Sequence, residues 1–389
     1  MKIAAVIPTR NRGAVAVQAV QSLLEQDCDL EIFVSDNSAA ADDALRDFCE
    51  RSRVHYLHRT PETITPTHWD VAIRHAMEHS DATHFTVHYD RKVTRPRHLD
   101  MVQSLAARHP DDVITWPHDY VADTPPPLRL WQPAWTGNVY ALRSQRIVQL
   151  TAAGRAGAIS SHALPLLSNC LVPRAVLSDV IARFGDLCDS TTADSCFAYR
   201  FFTVRERYLH FDRALGVLHM PHRSTGLGYQ RGRGGDFDDF RRQWGDRPWL
   251  HAAPIPGINL GLNMLYHEYE LVRRATGDAL PPIDRDAYLR DLAAGLPLIG
   301  DRETRAALRR VLADAGWKGS ETRGRLAAFA RHRVLASADA RLGMRVPGIS
   351  GRVFRNDRDA LQHALTHPRP RSRNARHLAL LEPELVETA

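Results

Sequence analysis

Long apolar runs are missing from this sequence. No stretch approaches the ~18 uninterrupted apolar residues that a membrane-spanning helix needs, and the short run Ile3–Ile7 lacks the length and cleavage pattern of a signal peptide. Cysteine is scarce as well, since the five cysteines form no CxxC pair and match no zinc-finger spacing. We therefore expect a cytoplasmic protein with reduced, mostly buried thiols rather than a disulfide or zinc scaffold.

The remaining composition is that of a globular protein of two or three packed units, with 389 residues and a hydrophobic content of 44%. Its net charge of +6 is unevenly spread, because residues 319–376 carry thirteen arginines against four acidic residues. Such a segment could contact anionic lipid headgroups, a nucleic acid or an acidic partner, or it could be a solvated helical surface. We expect no nucleic-acid partner and leave peripheral membrane contact and a homo-oligomer open.

Short apolar runs alternate with amphipathic stretches in the first half of the chain. The pattern predicts strands at residues 2–8, 30–35, 54–58, 84–88 and 112–116, and helices at residues 14–26, 41–51, 67–79, 175–184 and 195–203. This alternation favours a parallel doubly wound sheet. Such sheets bind ligands at the carboxyl ends of their strands, which here are the loops after Ile7, Val34 and Val87.

The second half of the chain has a different pattern. Beyond Pro254, helical periodicity at residues 260–276, 284–294 and 301–315 predicts a helical accessory region. Before it, Gly226–Gly235 is too rich in glycine for a regular element and predicts a mobile loop. We therefore predict an α/β domain at residues 1–240, a helical accessory region at 241–318 and an arginine-rich helical tail at 319–389.

Polar residues follow the first two predicted strands. Residues 5–12 read AVIPTRNR and residues 31–38 read EIFVSDNS, so both strands deliver polar side chains to the same edge of the sheet. An aspartate after a strand is, by itself, most often a turn or helix-capping residue. Two such loops at this separation instead indicate one shared binding site.

This pair of strands resembles the signature of the family 2 glycosyltransferases, in which a strand with P-T-x-N-R precedes one that ends in D-D-G-S or D-N-S. The resemblance extends from residue 3 to residue 225. It implies a fold of the GT-A type, a nucleotide-binding α/β domain with a mainly parallel sheet flanked by helices, followed here by a C-terminal helical region. It also implies transfer of a sugar from a nucleotide-sugar donor to an acceptor that the sequence does not identify.

The same resemblance implies which residues hold the donor. The Asp36 carboxylate would accept a hydrogen bond from the imide N–H of uracil or thymine, which would discriminate against cytosine. The backbone near Thr9 would contact the same base. The donor-binding residues of these two loops are then Pro8, Thr9, Arg10, Asn11, Asp36 and Asn37.

The strand at residues 84–96, HFTVHYDRKVTRP, lies where the family carries an acidic D-x-D motif, and here that motif is degenerate. The resemblance assigns Asp90 to the ribose or the metal and puts Arg91 where a metal-binding acid usually lies. Two interpretations stay open. Either Arg91 and Lys92 neutralise the diphosphate without a metal, or His88 and Asp90 bind a divalent cation, Mn²⁺ or Mg²⁺.

The acceptor side carries a second motif. In the family a segment like residues 191–200, TTADSCFAYR, ends in E-D with an arginine six residues after the aspartate, and here Asp194 and Arg200 keep that separation while Ala193 replaces the glutamate. The resemblance implies that Asp194 is the general base of an inverting transfer. From spacing alone, Asp194 could equally be the N-cap of a helix.

Further contacts are implied on either side of these motifs. Arg74, on the predicted helix 67–79, corresponds to a polar residue that approaches the diphosphate in the family. His219, His222 and Arg223 follow the family's last pair of strands, where a histidine often reaches the metal or a phosphate. The adjacent glycine-rich loop could close over donor or acceptor.

Two other functions stay open. A chain with a degenerate acidic motif could bind a nucleotide sugar without transferring it. A nucleotidyltransferase also uses an α/β sheet of this kind, although it usually needs a glycine-rich phosphate loop after the first strand, where this chain has only Gly13.

Overall fold

A computed structural model describes residues 1–122, 128–132, 134–219, 235–277, 279–296, 302–318, 349–367 and 371–388 of the chain. The strands of the described residues are β1 (Ile3–Thr9), β2 (Leu30–Asp36), β3 (His55–His58), β4 (His84–Val87), β5 (Lys92–Thr94), β6 (Ile114–Thr115), β7 (Asp119–Ala122), β8 (Arg129–Trp131), β9 (Val139–Arg143), β10 (Cys170–Pro173), β11 (Arg207–Phe211), β12 (Gly216–Leu218), β13 (Ile349–Val353) and β14 (Glu384–Glu387). The α-helices are α1 (Gly13–Leu24), α2 (Asp43–Arg51), α3 (Thr65–His79), α4 (His98–Arg108), α5 (Ser144–Ala152), α6 (Arg174–Phe184), α7 (Ala193–Phe201), α8 (Gly235–Trp244), α9 (Gly261–Ala275), α10 (Arg285–Gly295), α11 (Arg302–Asp314) and α12 (Asp357–Thr366).

The larger sheet has nine strands in the order β14-β9-β11-β6-β10-β4-β1-β2-β3. Seven of them point the same way, and β9 and β10 run against them. The first four strands are parallel neighbours joined through helices, as such pairs require. The structure therefore has the expected mixed α/β fold, with a mainly parallel sheet flanked by helices.

Strand β1 is buried along its whole length because helices cover both faces of the sheet. Successive side chains of a strand point to opposite faces. Accordingly, Ala4 and Val6 pack in the cluster that contains α3, whereas Ala5 and Ile7 pack with α1. This two-sided burial explains why the strand is a continuous apolar run in the sequence rather than an alternating one.

A second sheet, which we had not predicted, has five short strands in the order β13-β8-β7-β12-β5. At one edge of this sheet, β5 pairs antiparallel with β12, with Gly216 opposite Thr94. A Cβ atom on Gly216 would lie 2.8 Å from the carbonyl oxygen of Val93, so a side chain is excluded there. The strands of this sheet have only three to five residues and pair with segments that are distant in the sequence. They therefore leave little periodic signal.

The region after residue 235 is partly as expected. Helices α9, α10 and α11 match the predicted helical periodicity, and α9 packs on α7. The expected helical tail is corrected, because residues 349–388 contain the two strands β13 and β14 besides α12, and these pair with β8 and β9. The boundaries between the three predicted units stay predictions.

Two expectations from composition can be compared with the structure. All five cysteines are free thiols, and four of them are buried while Cys28 is partly exposed. Within the described ranges, no helix combines the length and the apolar character needed to cross a bilayer.

A buried carboxylate joins α9 to the start of α7. Glu268 Oε1 accepts hydrogen bonds from the hydroxyls of Thr191 and Thr192, at 2.9 and 3.0 Å, and from the Thr192 N–H at 3.1 Å. Burial raises the pKa of Glu268 to about 7 despite these hydrogen bonds. Because α7 also carries Asp194, this contact helps to position the predicted base.

The raised pKa of Glu268 predicts that the protein loses stability as the pH rises from about 4.5 to about 7. In that window the unfolded chain has released the proton while the folded chain keeps it, so the free energy of unfolding falls by up to about 1.4 kcal/mol per pH unit. Glu268→Gln keeps an acceptor oxygen and should remove this contribution. Urea unfolding at several pH values measures it, with exposed Glu303→Gln as the control. A wild-type slope in Glu268→Gln would contradict the prediction.

Candidate functional site

The loops after β1 and β2 form one unit. The parallel register sets Thr9 beside Asp36, and the Asn37 N–H donates to the Thr9 carbonyl at 3.0 Å. A second bond runs from the Asn11 N–H to Ser38 Oγ at 2.8 Å. The structure therefore brings together the two loops that the sequence pattern paired.

The Asp36 carboxylate lies behind this loop pair and is only 1% exposed. Its Oδ1 accepts from the Ser38 N–H at 3.0 Å and the Ser38 hydroxyl at 2.5 Å, and its Oδ2 accepts from the Tyr56 hydroxyl at 2.8 Å and the Asp42 N–H at 3.2 Å. Burial alone would raise the pKa of Asp36, but these hydrogen bonds outweigh it and lower that pKa. With four donors its lone pairs are used, so a nucleobase could bind there only by displacing one of them.

The side chain of Asn37 likewise forms its hydrogen bonds with other groups of the protein. Its side-chain N–H₂ donates to the carbonyls of Arg59 and Pro61, at 2.8 and 3.1 Å, and its oxygen accepts from the Thr63 N–H at 2.7 Å. These bonds hold the segment that leads into α3. Asn37 therefore shapes the site through Thr63 rather than by facing it.

A second carboxylate, Asp90, connects the loop after β1 to the loop after β4. Asp90 Oδ2 accepts from the Thr9 hydroxyl at 2.9 Å and pairs with Arg12 Nε at 2.9 Å, and the residue is 2% exposed. Arg91 lies next to this group, with its guanidinium carbon 5.3 Å from the centroid of the Tyr89 ring. Burial lowers the pKa of Arg91.

A polar cleft opens in front of these loops. Arg10 crosses one side of it and donates to Gln243 Oε1 of α8 at 2.5 Å and to the Thr63 carbonyl at 3.4 Å. His68 lies on the floor, where burial lowers its pKa to about 4 and its Nε2 bonds the Ser35 hydroxyl at 2.9 Å. The lining residues are Pro8, Thr9, Arg10, Asn11, Arg12, Thr63, Thr65, His68, Trp69 and Asp239.

The predicted base lies close to this group. Asp194 Oδ2 accepts from the Tyr89 hydroxyl at 2.6 Å, and Oδ1 accepts from the Ser168 N–H and hydroxyl at 3.1 and 2.9 Å. Burial raises the pKa of Asp194, although these hydrogen bonds act in the opposite direction. Since Tyr89 precedes Asp90, one short segment contacts Asp194 and also Thr9 and Arg12 at the end of β1.

Lys92 supports Asp194 from behind and does not line the cleft. Its ammonium group is buried and donates to the Ser168 carbonyl at 2.8 Å, and burial lowers its pKa to about 7. The expectation that Lys92 meets the diphosphate has no support in this geometry. Its contact is with the loop that holds the base.

Two further predicted arginines lie outside the lining of the cleft. Arg74 Nε donates to Asp70 at 2.8 Å within α3, and its Nη2 reaches Asp186 at 3.3 Å. Arg200 pairs with Asp189 and lies on a different face of α7 from Asp194. Both arginines hold the segment between α6 and α7, so the structure gives their predicted ligand contacts no support.

The proposed metal pair of His88 and Asp90 does not fit a cation. His88 Nδ1 bonds the Tyr89 carbonyl at 3.0 Å and Nε2 bonds the Thr94 hydroxyl at 2.8 Å, so neither nitrogen is left for a metal. Asp90 is already paired with Arg12. Both residues follow β4, which ends at Val87, so the strand alternation that places residues i and i+2 on one face does not apply to them.

His219 does lie at the site. It follows β12, its N–H donates to the Arg91 carbonyl at 3.1 Å, and its own carbonyl accepts from Arg91 Nη1 at 3.4 Å. Burial, and then the charge of Arg91, lower the pKa of His219 to about 4. His222, Arg223 and the glycine-rich loop lie outside the described residues.

Sequence reasoning missed several residues of this site. Arg12 stood in the quoted motif, but its pairing with Asp90 was not predicted. Tyr89 stood between His88 and Asp90 but has no signature of its own. Ser168 and Tyr56 contact the two carboxylates from distant segments, so only the tertiary structure identifies them.

The comparisons with known proteins give likenesses in structure alone. No protein-family model matches the chain, and no curated protein matches it. The crystal structure of S. aureus TarS 1-349 in complex with UDP-GlcNAc is 14% identical, with a TM-score of 0.44 over 86% of this chain and 92% of that chain. A longer structure of S. aureus TarS is 13% identical with a TM-score of 0.44, and this chain spans about half of its length, 52%.

A third similar structure is the mannosyltransferase PcManGT from Pyrobaculum calidifontis in complex with GDP-Man and Mn²⁺. It is 15% identical, with a TM-score of 0.40 over 88% of this chain and 87% of that chain. Likenesses at these TM-scores identify neither a substrate nor a mechanism for the present chain.

The four donors around Asp36 predict a structural role that can be measured. In Asp36→Asn an N–H₂ group would face two of these donors whichever way the amide turns, so we expect a loss of about 2–4 kcal/mol in the free energy of unfolding. Tyr56→Phe removes one donor and should cost about 1 kcal/mol. Urea unfolding measures both, with exposed Asp43→Asn as the matched control. An Asp36→Asn protein as stable as the control would contradict the prediction.

Proposed function

We propose that the chain is a glycosyltransferase, which moves a sugar from a nucleotide-sugar donor to an acceptor nucleophile with inversion. The observation that supports it is the hydrogen-bonded path from the loop after β1 to Asp194. Thr9 bonds Asp90, and the neighbouring Tyr89 bonds Asp194. A donor in the cleft beside Thr9 would thus have its anomeric carbon near a partly buried carboxylate, which is what attack by a deprotonated acceptor requires.

In this proposal the leaving diphosphate is neutralised by arginines. Arg10 and Arg12 line the cleft, and Arg91 lies beside Asp90. A guanidinium has five N–H donors in one plane, so Arg12 can bind Asp90 and a phosphate together. Asp90 then orients Arg12 and the Thr9 hydroxyl instead of binding a divalent cation.

Asp194 is the proposed general base. Its raised pKa keeps the carboxylate basic enough to accept the acceptor's proton, while Tyr89 and Ser168 fix the orientation of its two oxygens. The acceptor would approach from the side of Asp194, opposite the nucleotide.

Replacing the base tests the proposal directly. A thermal-shift series with UDP-, GDP-, dTDP- and CMP-sugars first identifies the donor, since a ligand at ~100 times its dissociation constant stabilises a protein by about 2.7 kcal/mol. Asp194→Asn should then keep donor affinity and lower kcat by about 10²–10⁴. The control Asp179→Asn, at an exposed aspartate paired with Arg205, should keep the wild-type rate.

Tyr89→Phe gives an independent readout of the same base. Removing this donor raises the pKa of Asp194 further, so the rising limb of the pH–rate profile should move to higher pH. Indifference to every sugar nucleotide would end the proposal. Binding without transfer or hydrolysis would favour a nucleotide-sugar-binding protein instead.

Arg12→Gln tests how the diphosphate is held. We expect the affinity for the nucleoside diphosphate to fall about tenfold or more, with the affinity for the nucleoside unchanged, because the guanidinium faces the phosphates and not the base. Titration calorimetry measures both, and Arg46→Gln, at a partly exposed arginine of α2, is the control. Equal losses for nucleoside and nucleotide would contradict the assignment.

The same proposal expects a transfer rate that does not depend on a divalent cation, because Arg12 and Arg91 already supply the positive charge. After a brief exposure to EDTA, adding Mn²⁺ or Mg²⁺ should change the rate by no more than about twofold. A rate that is lost with EDTA and restored by Mn²⁺ would contradict it.

A further inference from the structure

Three potential metal ligands meet in the part of the larger sheet that lies toward the β14 edge, away from β1. His210 lies in β11, Asp212 follows that strand, and His377 belongs to a 3₁₀ helix, Arg376–Leu381, near the end of the chain. His377 Nε2 lies 3.2 Å and His210 Nε2 3.8 Å from Asp212 Oδ1, and all three atoms lie within 4.8 Å of one another. None of these residues lines the donor cleft.

The surroundings of His210 Nδ1 fit one tautomer of the ring. The Thr115 hydroxyl lies 3.2 Å from the Leu209 carbonyl and 2.9 Å from His210 Nδ1, and when it donates to the carbonyl it accepts from Nδ1. Nδ1 is then protonated, and Nε2 of the neutral ring presents a lone pair to the cluster. This is the tautomer of a metal-binding histidine whose second nitrogen is oriented by a hydrogen bond.

Asp212 is fixed in a complementary way. Its Oδ2 accepts from the Thr136 N–H at 2.9 Å and from the Thr136 hydroxyl at 2.7 Å. These bonds turn Oδ1 toward the two imidazoles. His210 and Asp212 are both fully buried, so water has little access to the atoms that face each other.

The facing atoms lack donors of their own. Within the part of the chain that the structure describes, His210 Nε2, Asp212 Oδ1 and His377 Nε2 have no hydrogen-bond partner outside this cluster, and inside it they face only one another. A lone pair of His210 directed at a buried carboxylate oxygen is unfavourable. A proton on His377 would compensate only the carboxylate and would leave His210 Nε2 unpaired, whereas one cation would satisfy all three atoms.

We propose that His210 Nε2, Asp212 Oδ1 and His377 Nε2 bind a divalent first-row transition metal ion, with zinc as the best fit. Zinc takes nitrogen and carboxylate ligands at about 2.0–2.2 Å, which sets tetrahedral ligand atoms about 3.3 Å apart. The 3.2 Å and 3.8 Å separations are close to that value, and all three atoms lie within 4.8 Å of one another, so binding zinc requires the two histidines to move toward each other. Three protein ligands leave the fourth position for water.

The position of His377 indicates a structural purpose for this ion. The same segment places Leu378 and Leu381 in the main core and continues into β14, which pairs with β9 at the edge of the larger sheet. The metal would therefore bind the C-terminal segment to the sheet and protect an edge that would otherwise be open.

Metal analysis of the untagged full chain tests the site. We expect about one zinc per chain by plasma mass spectrometry after dialysis, and less than a tenth of that in His377→Gln and Asp212→Asn. The control His367→Gln, at an exposed histidine near the same end of the chain, should keep the wild-type content. Because His377 is partly exposed, its replacement should leave the fold intact, which far-UV circular dichroism checks.

Thermal stability and proteolysis test the site independently of the metal analysis. Removing the metal with 1,10-phenanthroline should lower the Tm of the wild type, added Zn²⁺ should restore it, and neither should change the Tm of His377→Gln. Trypsin should cleave at Arg373 or Arg376 faster in the metal-free protein than in the zinc-loaded one. Wild-type protein with no more zinc than His377→Gln, or a Tm that is indifferent to chelator, would show a protonated histidine–aspartate pair and overturn the proposal.

Discussion

The candidate site depends on the contact of one buried carboxylate, Asp90, with Thr9 and Arg12. A carboxylate that is 2% exposed is costly unless a cation and hydrogen-bond donors compensate it. Here Thr9 ends β1 and Arg12 lies in the loop after it, so the contact joins the carboxyl ends of two neighbouring parallel strands. The position of the loop after β2 is then set as well, because the register of β1 and β2 places Asp36 beside Thr9.

Several polar residues of the two loops contribute to the scaffold rather than to the surface of the cleft. Asp36 has its four donors within the protein, and Asn37 holds the segment ahead of α3. The polar residues of this pair of segments that do line the cleft are Thr9, Arg10, Asn11 and Arg12. A strongly polar motif can therefore be necessary for a binding site because it sets the backbone, while other side chains meet the ligand.

Much of the fold could be predicted because strands and helices leave local patterns. The elements predicted between residues 2 and 88 agree with the structure to within two residues at each end, and the helices after Pro254 agree equally well. The short strands β7 and β8 of the second sheet were missed, as were β13 and β14 in the arginine-rich tail. Strands this short are stabilised by pairing with distant segments, which no local periodicity reports.

For the site, the sequence by itself determined which loops meet, since parallel strands bring their carboxyl ends to one edge of the sheet. Only the tertiary structure decided what each side chain contacts. His88 bonds Thr94 instead of joining Asp90, Lys92 lies behind Asp194, and Tyr89 links that aspartate to the segment that carries Asp90. These outcomes depend on side-chain rotamers and on segments about a hundred residues apart, and long-range packing sets both.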